Sequence, residues 1–244
     1  MKTKSILVFF LIFSLILPVP ARAGEEVKFG QGANGYLVMP QGGGKVPAVI
    51  LVPEWWGLND QMRGEAQKFA DNGYAALVVD LYRGKATTDA AEAHELMRGL
   101  PDDQAVTDLK EAVTHLSGQP DIDHENIGVI GFCMGGGYAL KLAIADPRIA
   151  ALAIYYGKLV TDETELSKIK APVLGIFGAE DRGISKESVL EFKQKLEKLG
   201  KRAEILLYID AGHAFANPEN PAYNETAAKA AWEKTLTFFK GNLA

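Results

Sequence analysis

From Val46 onward the chain alternates short, almost wholly apolar runs with longer amphipathic stretches, and this alternation restricts the possible folds more than any other feature of the sequence. The apolar runs are Pro47 to Val52, Ala75 to Val79, Ile127 to Phe132, Ala150 to Tyr155, Val173 to Phe177 and Glu204 to Tyr208. Most lack the polar residue at every second position that a half-exposed strand shows, so they predict strands buried on both faces. Between them, Asp60 to Asn72, Asp89 to Arg98, Asp102 to Leu116, Met134 to Ala145, Ser185 to Leu199 and Ala222 to Phe239 repeat apolar residues at helical spacing. Such an order predicts an α/β architecture: a mostly parallel sheet with right-handed crossovers and helices on both faces. Shorter segments near Val27 and at Tyr36 to Met39 predict antiparallel strands at one edge. With no Pro/Ser-rich linker and no internal repeat, residues 24–244 read as one domain.

The first 23 residues read differently. Lys2 and Lys4 precede an apolar run from Ile6 to Leu17, and Ala21-Arg22-Ala23 closes it with small residues around a cut. This is the pattern of a secretory signal peptide, and the run is shorter than the ~20 residues that span a bilayer. The expectation is an exported protein, periplasmic or secreted, with no stable membrane insertion once the signal is removed. An uncleaved anchor is the alternative. Loss of Lys2, Lys4 and Arg22 would take the formal charge from −5 to about −8, a balance that argues against nucleic-acid binding. The single cysteine, Cys133, excludes an intrachain disulfide and any thiolate cluster for zinc.

In parallel α/β sheets, ligands gather outside the carboxyl ends of the strands. That rule places Glu54, Arg83, Cys133, Tyr156, Asp181 and His213 on one edge, each shortly after a predicted strand. His124 precedes a strand and belongs to the opposite edge, while His94 and His115 fall in predicted helices.

Gly131-Phe132-Cys133-Met134-Gly135-Gly136-Gly137 follows an apolar strand and opens a helical stretch. It has the Gly-x-nucleophile-x-Gly form of a nucleophile elbow, in which small neighbours let strand and helix approach around a strained turn. A buried structural cysteine is the bland alternative, and a dinucleotide-binding loop would require glycine where Cys133 stands. A thiol becomes a good nucleophile as the thiolate, which a nearby base and a helix N-terminus favour. His213 is the residue placed to supply the base. The order nucleophile, acid, histidine is that of the α/β-hydrolase fold. Spacing alone leaves Asp181 and Glu180 as rival acids. In such a site the backbone N–H groups of Met134 and Trp55 would form the oxyanion hole. Arg83 would hold a substrate carboxylate, unless it is simply solvated.

These motifs resemble the dienelactone hydrolase family, the carboxymethylenebutenolidases. The resemblance runs over nearly the whole mature chain and rests on Pro53-Glu54-Trp55-Trp56-Gly57-Leu58, Asp80-Leu81-Tyr82-Arg83-Gly84, the Cys133 elbow, Tyr155-Tyr156-Gly157, Gly178-Ala179-Glu180-Asp181 and Gly212-His213-Ala214-Phe215. It implies a triad of Cys133, Asp181 and His213, with Asp181 preferred over Glu180. It also implies that Glu54 contacts the thiol and that Arg83 binds substrate carboxylate, with Trp56, Tyr156 and Phe215 beside the substrate. The implied activity is hydrolysis of a lactone or activated ester through a thioester, without metal or organic cofactor, by a monomer or homodimer. A thioesterase or general carboxylesterase is the alternative chemistry, and a non-catalytic binding protein of the same shape is the alternative class. One departure bears on substrate: where family members carry a second arginine after the histidine, this chain has Asn217.

Overall fold

In the computed structural model, which describes residues 23–243, every predicted strand enters a single eight-stranded sheet. The elements in chain order are β1 (Glu25–Phe29), β2 (Ala33–Val38), β3 (Val46–Val52), α1 (Asp60–Asp71), β4 (Ala75–Val79), α2 (Ala90–Gly99), α3 (Asp102–Ser117), β5 (Ile122–Phe132), α4 (Met134–Ala145), β6 (Ala151–Tyr155), α5 (Glu163–Ser167), β7 (Val173–Gly178), α6 (Lys186–Lys198), β8 (Ala203–Tyr208) and α7 (Glu225–Asn242). The sheet order is β1-β2-β4-β3-β5-β6-β7-β8. The hairpin β1-β2 lies antiparallel at one edge, and β3 to β8 run parallel.

Alternation of side chains across the pleat sorts the core into two layers. Ala48, Ile50 and Val52 of β3 face the layer that contains Leu109 and Val113 of α3 and Phe192 of α6. Val49 and Leu51 face the other layer, with Phe69 of α1 and Phe239 of α7. Phe69 meets Trp232 and Phe239 edge to face, at centroid distances of 4.9 and 5.8 Å. Burying each such ring contributes about 1.5–3 kcal/mol. Gly128 lets α7 settle on β5, because a Cβ there would come within 2.8 Å of Phe239.

Two features differ from the sequence expectation. β5 begins at Ile122 rather than Ile127, since Ile122 pairs with Val46 before the register shifts; the polar run Asp123 to Asn126 hides this stretch. His124 therefore lies inside β5, still at its amino end and away from the carboxyl edge. α5, five residues long, is too short for helical periodicity to register. The expected export signal lies outside the described residues but for its last position. Among the described residues no helix is long and apolar enough to cross a membrane.

Two helices, α3 behind Pro101 and α4 behind Cys133, start without a side-chain cap. Asn59, Asp89, Asp162, Ser185 and Asn224 cap α1, α2, α5, α6 and α7 by accepting from a first-turn N–H. α4 starts at Cys133 with no side-chain cap, so its positive end is left to whatever occupies the sheet edge.

Candidate active site

Cys133 sits in the turn between β5 and α4 with φ 52° and ψ −116°, a conformation that costs on the order of 1–3 kcal/mol for a residue with a side chain. Close backbone packing holds it there. A Cβ on Gly131 would stand 2.0 Å from the Gly135 carbonyl oxygen, and one on Gly135 would stand 2.1 Å from that of Val52. Both positions therefore require glycine. The Gly135 contact also presses the start of α4 against the end of β3, bringing the Met134 backbone beside the loop that carries Glu54 and Trp55. Tyr156 and Ala214, with φ of 37° and 58°, are further residues with side chains in the left-handed region, and both flank this site.

The β7 and β8 loops bring the other two groups to the sulfur. Gly178 has no room for a Cβ, which would fall 2.2 Å from the Ala211 oxygen, and the Glu180 N–H donates to that same oxygen at 2.9 Å. The histidine loop is thereby clamped on the aspartate loop. His213 Nδ1 lies 2.7 Å from Asp181 Oδ2, and its Nε2 lies 3.0 Å from Cys133 Sγ. Asp181 Oδ1 accepts from the N–H groups of Gly183 and Ile184, at 2.7 and 3.0 Å, which aims Oδ2 at the ring. Glu180 is exposed, so the choice that spacing left open falls to Asp181 in the geometry.

Electrostatics follow from these bonds. Burial alone would raise the Asp181 carboxyl, yet the bonds from His213, Ile184 and Gly183 outweigh it and hold the group below its ordinary range. Burial would lower the His213 pKa, but its bonds to Asp181 and Cys133, and their charges, lift it to about 10. A protonated ring donates at both nitrogens, which suits a carboxylate on one side and a thiolate on the other.

Glu54 lies on the far side of the site and is 4% exposed. Its Oε2 accepts from Asn217 Nδ2 at 2.8 Å, while Oε1 has no hydrogen-bond partner. Burial pushes this carboxyl above its ordinary range, against smaller opposing effects of Asn217, His213 and Tyr156. The sulfur's bonded partner is His213, whereas Glu54 is bonded to Asn217.

The remaining expected residues divide. Tyr156 is buried, its ring 5.3 Å from that of His213, and lines a cavity of about 250 Å³ together with Glu54. Trp56, whose ring packs at 4.9 Å against that of Trp55, lines a hollow of about 270 Å³ with Asn217. Phe215 is fully buried and packs against the rings of Tyr156 and Tyr208. Arg83 is tied to α3 and to the β1–β2 turn. Its Nη2 donates to both oxygens of Asp108, at 2.9 and 3.1 Å, and its Nη1 to the Gly32 oxygen at 2.6 Å. Asp108 is 2% exposed, and the guanidinium, itself partly exposed, is its bonded cation. Sequence reasoning missed Tyr82, whose hydroxyl donates to Met134 Sδ at 3.2 Å and ties the β4 loop to the elbow. It also missed Asp80, which organises that loop by accepting from Asn34 Nδ2, Tyr82 N–H and Gly84 N–H. The motif Asp80-Leu81-Tyr82-Arg83-Gly84 was the available signal for both.

Sheet order, crossovers and the elbow after the third parallel strand define an α/β-hydrolase. The comparisons narrow the class: the model of the "Dienelactone hydrolase family" matches residues 33–243, and the chain belongs to that family. It is 34% identical over 226 residues to a protein of Salmonella typhimurium named "Putative carboxymethylenebutenolidase", covering 86% of this chain and 83% of that one. A Bradyrhizobium protein named "Probable 2-oxo-3-(5-oxofuran-2-ylidene)propanoate lactonase" is 30% identical over 227 residues, covering 88% of this chain and 91% of the relative. The solved structure of a Klebsiella pneumoniae dienelactone hydrolase, titled as putative, superposes with a TM-score of 0.83 at 29% identity, over 89% of this chain and 98% of that one. The protein is accordingly a hydrolase of the dienelactone hydrolase type.

Proposed function

We propose that the chain cleaves a lactone or activated ester with Cys133 as nucleophile, His213 as general base and acid, and Asp181 as the group that orients and charges the ring. The observation that carries this reading is the continuous path from Asp181 Oδ2 through both nitrogens of His213 to Cys133 Sγ, at 2.7 and 3.0 Å. In the proposed cycle the thiolate attacks the carbonyl carbon. The N–H groups of Met134, at the uncapped start of α4, and of Trp55 receive the oxyanion. His213 gives its Nε2 proton to the leaving oxygen, leaving an acyl thioester on sulfur. The neutral ring then takes a proton from water, which attacks the thioester and restores the thiol–imidazole pair. Because a thiolate leaves more readily than an alkoxide, the tetrahedral adduct reverts unless the substrate's own leaving group is good. That favours enol lactones and aryl esters over amides.

Lys2, Lys4, the Ile6 to Leu17 run and Ala21-Arg22-Ala23 support an exported mature enzyme, and a lone cysteine is compatible with an oxidising compartment. Steady-state assays on an enol lactone and an aryl ester test the chemistry. Cys133→Ala should lose on the order of 10⁴-fold or more in kcat; equal rates in the two proteins would remove Cys133 from the reaction.

A further inference from the structure

The hollows around the sheet edge differ in their walls, and one of them bears on substrate, given the hydrolytic reading above. The cavity that reaches Glu54 has Glu65, Lys68 and Glu225 in its wall, and the hollow beside Asn217 has Asn59, Thr87 and Glu219. The hollow lined by Arg83 and Lys85 also holds Glu92 and Glu95. A fourth, of about 280 Å³, is built differently: Met97 of α2, Met134 of α4, and Leu159 and Val160 of the loop after β6 give it apolar walls. Met134, Leu159 and Val160 are only partly buried, so part of their apolar surface is open to the groove. Met134, Gly137, Tyr138 and Lys141 form one stripe of α4, so the groove runs about 10 Å along the helix from the nucleophile's neighbour. Gly137 keeps it wide, since a Cβ there would already touch Lys158, 3.4 Å from its carbonyl oxygen. Charge gathers at the far end, where Lys141 is bonded to Asp102 at 2.6 Å and the exposed Lys158 acts on the same carboxylate. The near end adjoins the sulfur. Met134 follows Cys133, its Sδ accepts from the Tyr82 hydroxyl at 3.2 Å, and that hydroxyl is raised by burial and then by the charge on Cys133 beside it.

We infer that this groove holds the acyl arm of the substrate, so that the enzyme prefers acyl groups with a hexanoyl-sized apolar chain over an acetyl group. The leaving oxygen has to face His213 Nε2, which the β8 loop carries, whereas the groove is walled by α2, α3, α4 and the loop after β6. On a Cys133 thioester the acyl chain is therefore the part that can run along α4. Met97 suits a roof that adapts to it, because methionine is flexible and α2 buries only Ala93.

The test compares p-nitrophenyl hexanoate with p-nitrophenyl acetate on the wild-type protein and on Met97→Trp, which fills the groove from α2. A buried methylene is worth about fourfold, so the longer chain in a half-open groove should raise wild-type kcat/KM at least about tenfold. Met97→Trp should lower that preference by about fivefold or more; if it does not fold, Val160→Trp takes its place. A wild-type preference below about threefold overturns the inference, as does an unchanged preference in a folded, filled variant. If neither ester is turned over, the hydrolytic reading fails and the groove is probed through the thiol alone. Cys133 then attacks the thiol sulfur of an alkyl methanethiosulfonate, forming a mixed disulfide and releasing methanesulfinate. The hexyl reagent should label Cys133 faster than the methyl reagent, with the advantage lost in Met97→Trp; equal labelling by the two reagents overturns the inference.

Discussion

Two buried carboxylates flank Cys133, both in loops at the carboxyl edge of the sheet, and their environments drive them in opposite directions. Asp181 accepts three hydrogen bonds, two from backbone N–H groups and one from an imidazole, and is held ionised. Glu54 accepts from the neutral amide of Asn217, with Tyr156 a weaker influence, and burial pushes its carboxyl above the ordinary range. The contrast shows that the number and charge of donors, rather than depth, set the state of a buried acid. One acid is equipped to charge the histidine, whereas burial works against charge on the other.

Substitutions that erase charge while keeping shape separate the two acids most sharply. Asp181→Asn should lower kcat by roughly 10³–10⁴-fold, because the amide presents the ring with the wrong partner and leaves an imidazolium unbalanced. Next in size, His213→Ala should reduce the rate of Cys133 alkylation near pH 7 by about tenfold or more, since an ordinary thiol is only a few per cent thiolate there. The Asp181–His213 pair should also mark the stability profile. The His213 pKa, raised to about 10, contributes stability that is complete below the ring's ordinary value of 6.5 and lost as pH rises through about 10. The lowered Asp181 pKa contributes stability above its ordinary 3.8 that is lost as pH falls through the folded value. The gap in denaturant midpoint between wild type and Asp181→Asn should therefore be widest between about pH 4 and 6.5 and shrink on both sides; a gap that grows above pH 8 would contradict this. On the other flank, Asn217→Ala should cost about 1–3 kcal/mol of stability by removing the amide donor from buried Glu54, readable as a shift in urea midpoint. Glu54→Gln should change least, within about threefold in kcat/KM for an uncharged ester, because burial already works against charge on Glu54 and the amide keeps its shape. A loss as large as that of Asp181→Asn would mean that Glu54 acts as a charged group.

Much of this arrangement was legible before any coordinates. Strands buried on both faces declare themselves as apolar runs, and the glycines around Cys133 mark a turn that needs close backbone approach, which Gly131 and Gly135 both show. The strand-end rule put His213 and Asp181 on the right edge. What stayed hidden depends on partners far along the chain. Nothing near Arg83 announces Asp108, 25 residues on in α3, and nothing near Glu54 announces Asn217, 163 residues away. Burial was equally unreadable for Phe215, which has the sequence position of a ligand contact but packs behind Tyr156. The beginning of β5 escaped because its polar residues mimic a turn while its backbone already pairs with β3.

The central question is whether Cys133 carries the acyl group. The most direct measurement is peptide mass spectrometry of the protein after acid quenching during turnover of a slowly deacylating aryl ester. The account predicts an acyl mass increment confined to the peptide containing Cys133, sensitive to hydroxylamine and missing from Cys133→Ala. Active protein with an unmodified Cys133 peptide, or with the acyl group on another residue, would contradict it.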